Sequence, residues 1–231
     1  MSLMERVLPL RVWVVIAAYN EATVIHRVIG NVARCGYRTI VVDDGSSDQT
    51  VAAASAADRI IRHPINLGQG AALQTGMDYA LEQGADVIIT FDADGQHRAA
   101  DIESLIRALE KTQADFALGS RFLGSSTGLP LLRRWLLKAA TLFTQLTTGL
   151  RLSDTHNGLR AMTRHGAGVV RLRQNRMAHA SEILSQIAAS GLSYVEVPVS
   201  VEYSTYSLAK GQRLDDALMI LLDLFARRLY R

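Results

Sequence analysis

The chain has 231 residues, of which 48% are hydrophobic and 20% charged, and its formal net charge is +3. These values are typical of one globular domain with a sizeable core, and they exclude an intrinsically disordered chain. The single cysteine, Cys35, excludes a disulfide framework, and the absence of a secretory signal or an apolar run of about 20 residues predicts a protein that is soluble or peripheral to a membrane.

The first half of the chain alternates between predicted strands and helices. Apolar, β-branched runs predict five strands, in VWVVIAAYNE, RTIVVDDGSSDQT, DRIIRHP, ADVIITFDADGQH and DFALGSRF. Apolar residues at helical spacing predict four intervening helices, in ATVIHRVIGNVARCGY, VAAASAA, NLGQGAALQTGMDYALEQG and AADIESLIRALEKTQ. This alternation predicts an α/β fold with a doubly wound, mostly parallel sheet and helices on both faces.

The pattern changes after residue 124. The remaining segments predict two helices, a late strand and a C-terminal amphipathic helix, in GLPLLRRWLLKAATLFTQLTTGLRL, HASEILSQIAASG, LSYVEVPVSVEY and LDDALMILLDLFARRLYR. No repeat or long linker separates the two parts, so we expect residues 10–124 and 125–231 to be halves of one domain.

Positive charge is concentrated between Arg121 and Arg176. This segment holds nine arginines and one lysine against a single acid, Asp154. Such a block favours a polyanionic partner, either phosphates, anionic lipid head groups or nucleic acid, and an ordinary solvated basic face is the alternative. Nucleic acid is not expected, because the chain lacks the interleaved aromatic and basic residues of a recognition module.

Two aspartates follow the fourth predicted strand. Asp92 and Asp94 are two residues apart in an extended segment, so their side chains point the same way. Together with Gln96 as a third oxygen ligand, they suit a hard divalent cation such as Mg²⁺ or Mn²⁺. Zinc is not expected, because His97 alone does not supply a tetrahedral ligand set. In a parallel sheet the ends of the first, second and fourth strands should converge on one pocket.

Four segments, AAYNE, VVDDGSSDQT, NLGQGAALQTGMDYA and FDADGQH, occur in this order at characteristic spacings. Together they resemble glycosyltransferase family 2, and most closely its polyprenyl-phosphate branch, the enzymes like dolichol-phosphate-mannose synthase. The resemblance covers roughly residues 10–210. It implies a nucleotide-diphospho-sugar transferase fold of the GT-A type, in which residues 10–124 bind the nucleotide-sugar and residues 125–231 bind the acceptor.

The resemblance also implies the donor site. It identifies Asp92-Ala93-Asp94 as an aspartate-any-aspartate metal motif, with Gln96 as a further ligand of Mg²⁺ or Mn²⁺. The residues implied in nucleotide binding are Ala17, Tyr19, Glu21, Asp44, Gly68, Asp92 and Ala93. Ala17 stands where the family usually has proline, and Gly68 could either cradle phosphate or simply form the turn before a helix.

On the acceptor side, the resemblance implies phosphate-binding residues in the basic block and beyond it. These are Arg121 of GSRF, Arg133 or Arg134, Asp154 and Arg160 of DTHNGLRAM, and Lys210 of the late loop. Guanidinium groups suit this role because they pair bidentately with phosphate oxygens. Asn157 and Leu159 depart from the serine and phenylalanine that are more usual in the family.

The reaction implied is an inverting sugar transfer from a nucleotide-diphospho-sugar to a polyprenyl phosphate in cell-envelope glycan synthesis. Asp94, through the metal, and Arg121 would stabilise the developing charge, and a lipid phosphate would need no protein base because it is already ionised. If the acceptor is instead a sugar hydroxyl, a carboxylate base is required, and Glu182 in HASEILS is the candidate.

Several alternatives stay open. The chain could be a sugar-nucleotide pyrophosphorylase, or a catalytically silent subunit that binds a sugar nucleotide for a membrane complex. It could act with a separate membrane protein or as a homo-oligomer. We expect a cytoplasmic protein, with peripheral attachment to the inner face of the cytoplasmic membrane as a further expectation, since the sequence ends without a transmembrane helix.

Overall fold

A computed structural model describes residues 10–174, 179–203 and 206, and its centre is a seven-stranded sheet. The strands are β1 (Val12–Ala18), β2 (Arg38–Asp43), β3 (Arg59–Arg62), β4 (Val87–Asp92), β5 (Phe116–Thr127), β6 (Arg160–Thr163) and β7 (Tyr194–Glu202). Their order across the sheet is β3-β2-β1-β4-β6-β5-β7. β6 is antiparallel to both neighbours and the other adjacent pairs are parallel, which confirms the mostly parallel sheet.

Helices cover both faces of the sheet, as predicted. They are α1 (Ile25–Arg34), α2 (Thr50–Ala53), α3 (Gln69–Glu82), α4 (Asp101–Thr112), α5 (Leu131–Thr148), α6 (Arg164–Val169) and α7 (His179–Ser190). One core lies between the sheet and α1 and α4, and a second core lies between the sheet and α3, α6 and α7.

The buried runs of the sequence supply both cores at once. In β1, Val14 and Ile16 belong to the first core, whereas Trp13 and Val15 belong to the second. This division follows from the period of two in a strand, which sends successive side chains to opposite faces. A strand that is covered on both faces therefore needs a continuous apolar run, and this is the pattern that the sequence shows.

Two elements were not predicted, and both lie in the second half. β6 inserts between β4 and β5, with Arg160 opposite Thr90 and opposite Leu118, and α6 follows it directly. β6 and β7 join β5 in the same sheet as the strands of the first half. The predicted C-terminal helix, residues 214–231, lies outside the described residues.

Candidate functional site

A cavity of about 680 Å³ lies beyond the carboxyl ends of β1, β2 and β4. Strand order changes direction at β1, which pairs with β2 on one side and β4 on the other, and this is where open α/β sheets bind ligands. The residues predicted for the nucleotide and the metal all line it: Ala17, Tyr19, Glu21, Asp44, Gly68, Asp92, Ala93, Asp94 and Gln96. The three strand ends therefore converge as the sequence predicted.

The carboxylate of Asp92 is held from two sides. Its Oδ1 accepts a hydrogen bond of 3.2 Å from the side chain of Gln69, and its Oδ2 lies 3.1 Å from Nε2 of the buried His97. Burial raises the pKa of Asp92, but the His97 hydrogen bond and the electrostatic effect of His97, Arg160 and His179 outweigh it and hold that pKa below its usual value. Asp92 is therefore an anion at neutral pH.

Asp94 has the opposite electrostatic character. Its Oδ1 accepts a hydrogen bond of 3.1 Å from the backbone N–H of Gln96. Burial and then the negative charge of Asp92 raise the pKa of Asp94 to about 6, with a further contribution from Glu21. Two carboxylates that repel each other in this way gain stability when a cation binds between them.

The oxygen ligands that Asp92, Asp94 and Gln96 offer suit a divalent cation such as Mg²⁺ or Mn²⁺. In residues 10–174 and 179–203, no group of three or more histidine, cysteine or acidic side chains is placed to hold a metal. Mg²⁺ and Mn²⁺ need few protein carboxylates, because substrate phosphates and water complete their coordination. Gly158 packs directly against the Asp92 carboxylate, and a side chain there would displace it, since a Cβ at Gly158 would lie only 2.1 Å from Oδ2 of Asp92.

Asp44 organises the loop that precedes α3. Its Oδ1 accepts from the backbone N–H of Leu67 at 3.0 Å, and its Oδ2 accepts from that of Gly68 at 2.7 Å. Nδ1 of His63 lies 2.8 Å from the same carboxylate. Gly68 has φ of 100°, which favours glycine at the first turn of the helix. Asp44 thus shapes the cavity wall through the glycine-rich loop as well as lining it.

Arg121 is buried and its guanidinium is committed to the protein. Its Nε pairs with Asp154 at 2.7 Å, Nη1 donates to the hydroxyl of Tyr203, and Nη2 donates 2.6 Å to the carbonyl of His156. Burial lowers the pKa of Arg121, but Asp154 and Tyr203 more than offset this and raise it. Arg121 lines the cavity as predicted, yet three directions of its guanidinium are already occupied.

The other residues predicted for the acceptor differ in their placement. Arg133 and Arg160 line the cavity, with the Arg133 guanidinium 5.3 Å from the ring centroid of Tyr203. Arg134 is exposed on α5 and is not among the cavity residues. Asp154, predicted to contact the acceptor, is instead buried against Arg121 and positions it. Lys210 lies outside the described residues.

Glu182 does not lie where a general base would be needed. Its carboxylate accepts hydrogen bonds of 3.0 Å from the backbone N–H of Arg173 and 2.8 Å from that of Gln174, in the first turn of α7. It is not among the residues that line the cavity. The structure therefore corrects its assignment, because the carboxylate holds the loop before α7 instead of facing a substrate.

Sequence reasoning missed several cavity residues. Gln69, His156, Gly158 and His179 all line the cavity without having been predicted as ligands. His97 stood next to Gln96 in the motif, which is a local signal for its contact with Asp92. The others stand beside predicted residues in NLGQG, DTHNGLRAM and HASEILS, but only the packing of these remote segments shows that they line one cavity.

Comparison with known proteins identifies the family to which this chain belongs. Residues 13–168 match the model of the family described as "Glycosyl transferase family 2". An uncharacterised protein of Methanocaldococcus jannaschii is 34% identical over 95% of this chain and 93% of its own length. The UDP-N-acetylglucosamine–dolichyl-phosphate N-acetylglucosaminyltransferase of Methanococcus voltae is 31% identical, over 87% of this chain and 89% of that protein.

A further curated relative and a solved structure are also similar to this chain. The polyprenol monophosphomannose synthase of Mycolicibacterium smegmatis is 29% identical over 90% of this chain and 84% of that protein. The glucosyl-3-phosphoglycerate synthase of Mycobacterium tuberculosis, solved with Mn²⁺ and UDP-glucose, superposes with a TM-score of 0.73 at 18% identity, over 95% of this chain and 79% of that one. At that identity the superposition shows the fold, which is GT-A. The chain therefore belongs to glycosyl transferase family 2 and is a glycosyltransferase.

Proposed function

We propose that the enzyme transfers a sugar, with inversion, from a nucleotide-diphospho-sugar to a polyprenyl phosphate in the assembly of cell-envelope glycans. The observation that carries this proposal is the pairing of Asp92 and Asp94 in a cavity that Arg133 and Arg160 also line. The carboxylates suit a divalent cation, and the guanidinium groups suit phosphate oxygens. A reaction between two phosphate compounds needs both.

The chemistry follows from the charges in the cavity. Asp92 and Asp94 would hold a divalent cation, which when bound supplies positive charge to the leaving nucleoside diphosphate. The bond between the sugar carbon and the phosphate oxygen breaks with its electron pair remaining on the diphosphate. The acceptor oxygen forms the new bond from the opposite face, which inverts the anomeric centre.

The placement of Glu182 supports a phosphate acceptor over a hydroxyl acceptor. A hydroxyl must lose a proton to a base, whereas a phosphate monoester, with a second pKa of about 6, is already ionised near neutral pH. The carboxylate predicted as that base binds backbone N–H groups away from the cavity. The names of the M. voltae and M. smegmatis relatives also support a lipid-phosphate acceptor.

Helix α5 supports an acceptor that is embedded in a lipid surface. Five of its large apolar side chains are exposed, among them Trp135 at 71%, Leu142 at 57% and Leu146 at 73%, whereas Leu136, Leu137 and Phe143 are half-buried. The two residues of α5 that are fully buried are both threonines, Thr141 and Thr144. In residues 10–174 and 179–203, no helix is long and apolar enough to cross a bilayer. An exposed apolar helix face with flanking cations fits the interface of an anionic membrane.

Binding to vesicles tests this part of the proposal. Arg133, on the same helix, lines the cavity, so docking of α5 would place the cavity at the level of lipid head groups. We expect Leu142→Glu to weaken sedimentation with vesicles of phosphatidylglycerol and phosphatidylcholine by about tenfold, since burying a charge in the interface is unfavourable. Val169→Glu, at an exposed apolar position on α6, is the matched control and should bind like wild type.

The donor is tested by thermal stability. We expect one of UDP, GDP, CDP and dTDP to raise the melting temperature in the presence of Mn²⁺, and Asp94→Ala to lose this effect. Transfer of radiolabelled sugar from the matching nucleotide-sugar to undecaprenyl phosphate then tests the acceptor. Stabilisation without any transfer would favour the alternative of a catalytically silent binding subunit. No stabilisation by any of the four would overturn the proposed donor.

A further inference from the structure

A group of basic side chains near Asp92 lines the cavity. It consists of Arg160 at the start of β6, His156 in the loop before it, and His179 at the start of α7, and all three line the cavity. Arg160 and His179 act electrostatically on both Asp92 and His156, so the groups are close to one another. We call these three residues the inner cluster.

Arg160 is a buried cation that faces the cavity without a close partner. The residue is 4% exposed, and its guanidinium makes no hydrogen bond or ion pair with the part of the chain that the structure describes, although its backbone pairs within the sheet. Its interactions are the longer-range ones with Asp92 and Asp154, and burial lowers its pKa. A buried charge is costly unless a counter-charge compensates it.

The contrast with Arg121 makes this observation specific. Arg121 is buried to a similar degree, but it has hydrogen bonds to Asp154, Tyr203 and the His156 carbonyl. Arg160 has no such set, although it lies in the same cavity. The position open to an incoming anion is therefore at Arg160, next to the carboxylates that would hold the cation.

His156 offers a hydrogen-bonding group of a different kind. Its Nδ1 lies 2.9 Å from the hydroxyl of Thr155, and within the described ranges its Nε2 has no partner. Burial lowers the pKa of His156 to about 4, so the ring is neutral at physiological pH. A neutral imidazole nitrogen can donate to or accept from a hydroxyl, but it adds no charge for a second phosphate.

His179 is fixed against the glycine-rich turn of α3. A Cβ at Gly70 would lie 2.9 Å from Cβ of His179 and 2.1 Å from the carbonyl oxygen of Gln174. The close approach of this turn requires glycine and holds the start of α7 at the cavity wall. The two imidazoles and the guanidinium thus come from three segments that packing brings together.

We propose that the inner cluster receives the sugar-phosphate end of the donor. Arg160 pairs with the phosphate that carries the sugar, and His156 and His179 hydrogen-bond to sugar hydroxyls. This rests on the proposed function, because it takes the donor to be a nucleotide-diphospho-sugar. It assigns Arg160 to the donor, whereas the sequence placed it on the acceptor side, and it makes the two histidines determinants of sugar specificity.

Calorimetric titration with three probes in Mn²⁺ tests the assignment. The probes are UMP, UDP and UDP-glucose, or GMP, GDP and GDP-mannose if the guanosine series is the one that binds. Loss of a hydrogen bond worth about 1.4 kcal/mol changes affinity about tenfold. We expect His156→Ala to lower the affinity for the nucleotide-sugar about tenfold and the affinity for the diphosphate less than twofold. His156→Gln should recover most of the lost affinity for the nucleotide-sugar. His26→Ala, at an exposed histidine of α1, is the matched control.

Arg160→Gln should act on a different pair of probes. In wild type the nucleoside diphosphate should bind more tightly than the monophosphate, and Arg160→Gln should remove most of this difference in affinity. The affinity for the monophosphate should stay within about twofold of wild type, because only the second phosphate contacts the guanidinium. If this variant does not fold, as judged by circular dichroism, the His156 series alone decides.

Each result has a separate meaning. If wild type binds its series of probes but His156→Ala lowers the affinity for all three probes equally, or for none of them, this inference is overturned and the proposed function stands. A wild type that binds no probe with Mn²⁺ overturns both.

Discussion

Replacing Asp94 with asparagine should stabilise the metal-free protein at neutral pH and abolish its metal-dependent nucleotide binding. In the unfolded chain the carboxyl has its ordinary pKa of 3.8, and in the folded protein burial and Asp92 raise the pKa to about 6. The folded state therefore binds the proton more tightly. The associated stability is fully present below pH 3.8 and is lost as the pH rises through 6.

The size of this effect follows from the shift. About two pKa units at 1.36 kcal/mol each correspond to about 3 kcal/mol of unfolding free energy lost at pH 7.5. At pH 5 the linkage relation leaves about half of that loss. Asparagine cannot ionise, and its amide oxygen can still accept the hydrogen bond from Gln96. The free energy of unfolding of the variant should therefore be about 2 to 3 kcal/mol higher than that of wild type at pH 7.5, and about half as much higher at pH 5.

Urea denaturation in EDTA at both pH values measures this difference. Asp78→Asn, on the exposed face of α3, is the matched control and should change stability by less than about 0.5 kcal/mol. Added Mn²⁺ with the nucleotide should raise the stability of wild type but not of Asp94→Asn. An asparagine variant that is no more stable than wild type at pH 7.5, or one with the same advantage at both pH values, would refute the argument.

Three further substitutions test separate parts of the site. Gly158→Ala places a methyl group within 2.1 Å of the Asp92 carboxylate, so calorimetry should show at least about a tenfold loss of Mn²⁺-dependent nucleotide affinity. Gly30→Ala is the control, because a Cβ at Gly30 has nothing within 4 Å, and it should bind the nucleotide like wild type. Equal nucleotide affinities of the two variants would contradict the crowding argument. Asp154→Ala leaves a buried guanidinium without its counter-charge and should cost about 3 to 5 kcal/mol in urea unfolding; a loss below about 1 kcal/mol would mean that the ion pair is not structurally important. Glu182→Gln should keep sugar transfer within about threefold of wild type in a turnover assay, whereas a general base would cost at least about a hundredfold.

Local sequence was sufficient to predict that the ends of β1, β2 and β4 meet at one cavity. The apolar runs of β1, β2 and β4 identify strands buried on both faces, and parallel strands present their carboxyl ends at one edge. The acidic residues that follow those strands are therefore expected to lie close together at that edge of the sheet. Asp92 and Asp94 were predicted in this way, and they line the same cavity as Tyr19 and Asp44.

The second half of the chain was less predictable because its pairings are remote. β6 has only four residues, and the residues of β4 and β5 that pair with it lie 42 to 76 positions earlier in the chain. So short a segment carries no periodicity that separates a strand from a loop. Arg160 consequently appeared as one arginine of a basic block, although β6 carries it into the protein interior.

The sequence by itself determined the α/β class, the succession of the first five strands along the chain and the carboxylate pair, because these depend on residue patterns within single segments. Only the tertiary structure decided the partners of the charged groups. Arg121 is committed to Asp154, Glu182 is bound to a loop, and Arg160 faces the cavity without a close partner among the described residues. The three carry charges that look equally available in the sequence, and burial and the nearest counter-charge, which are properties of packing, distinguish them.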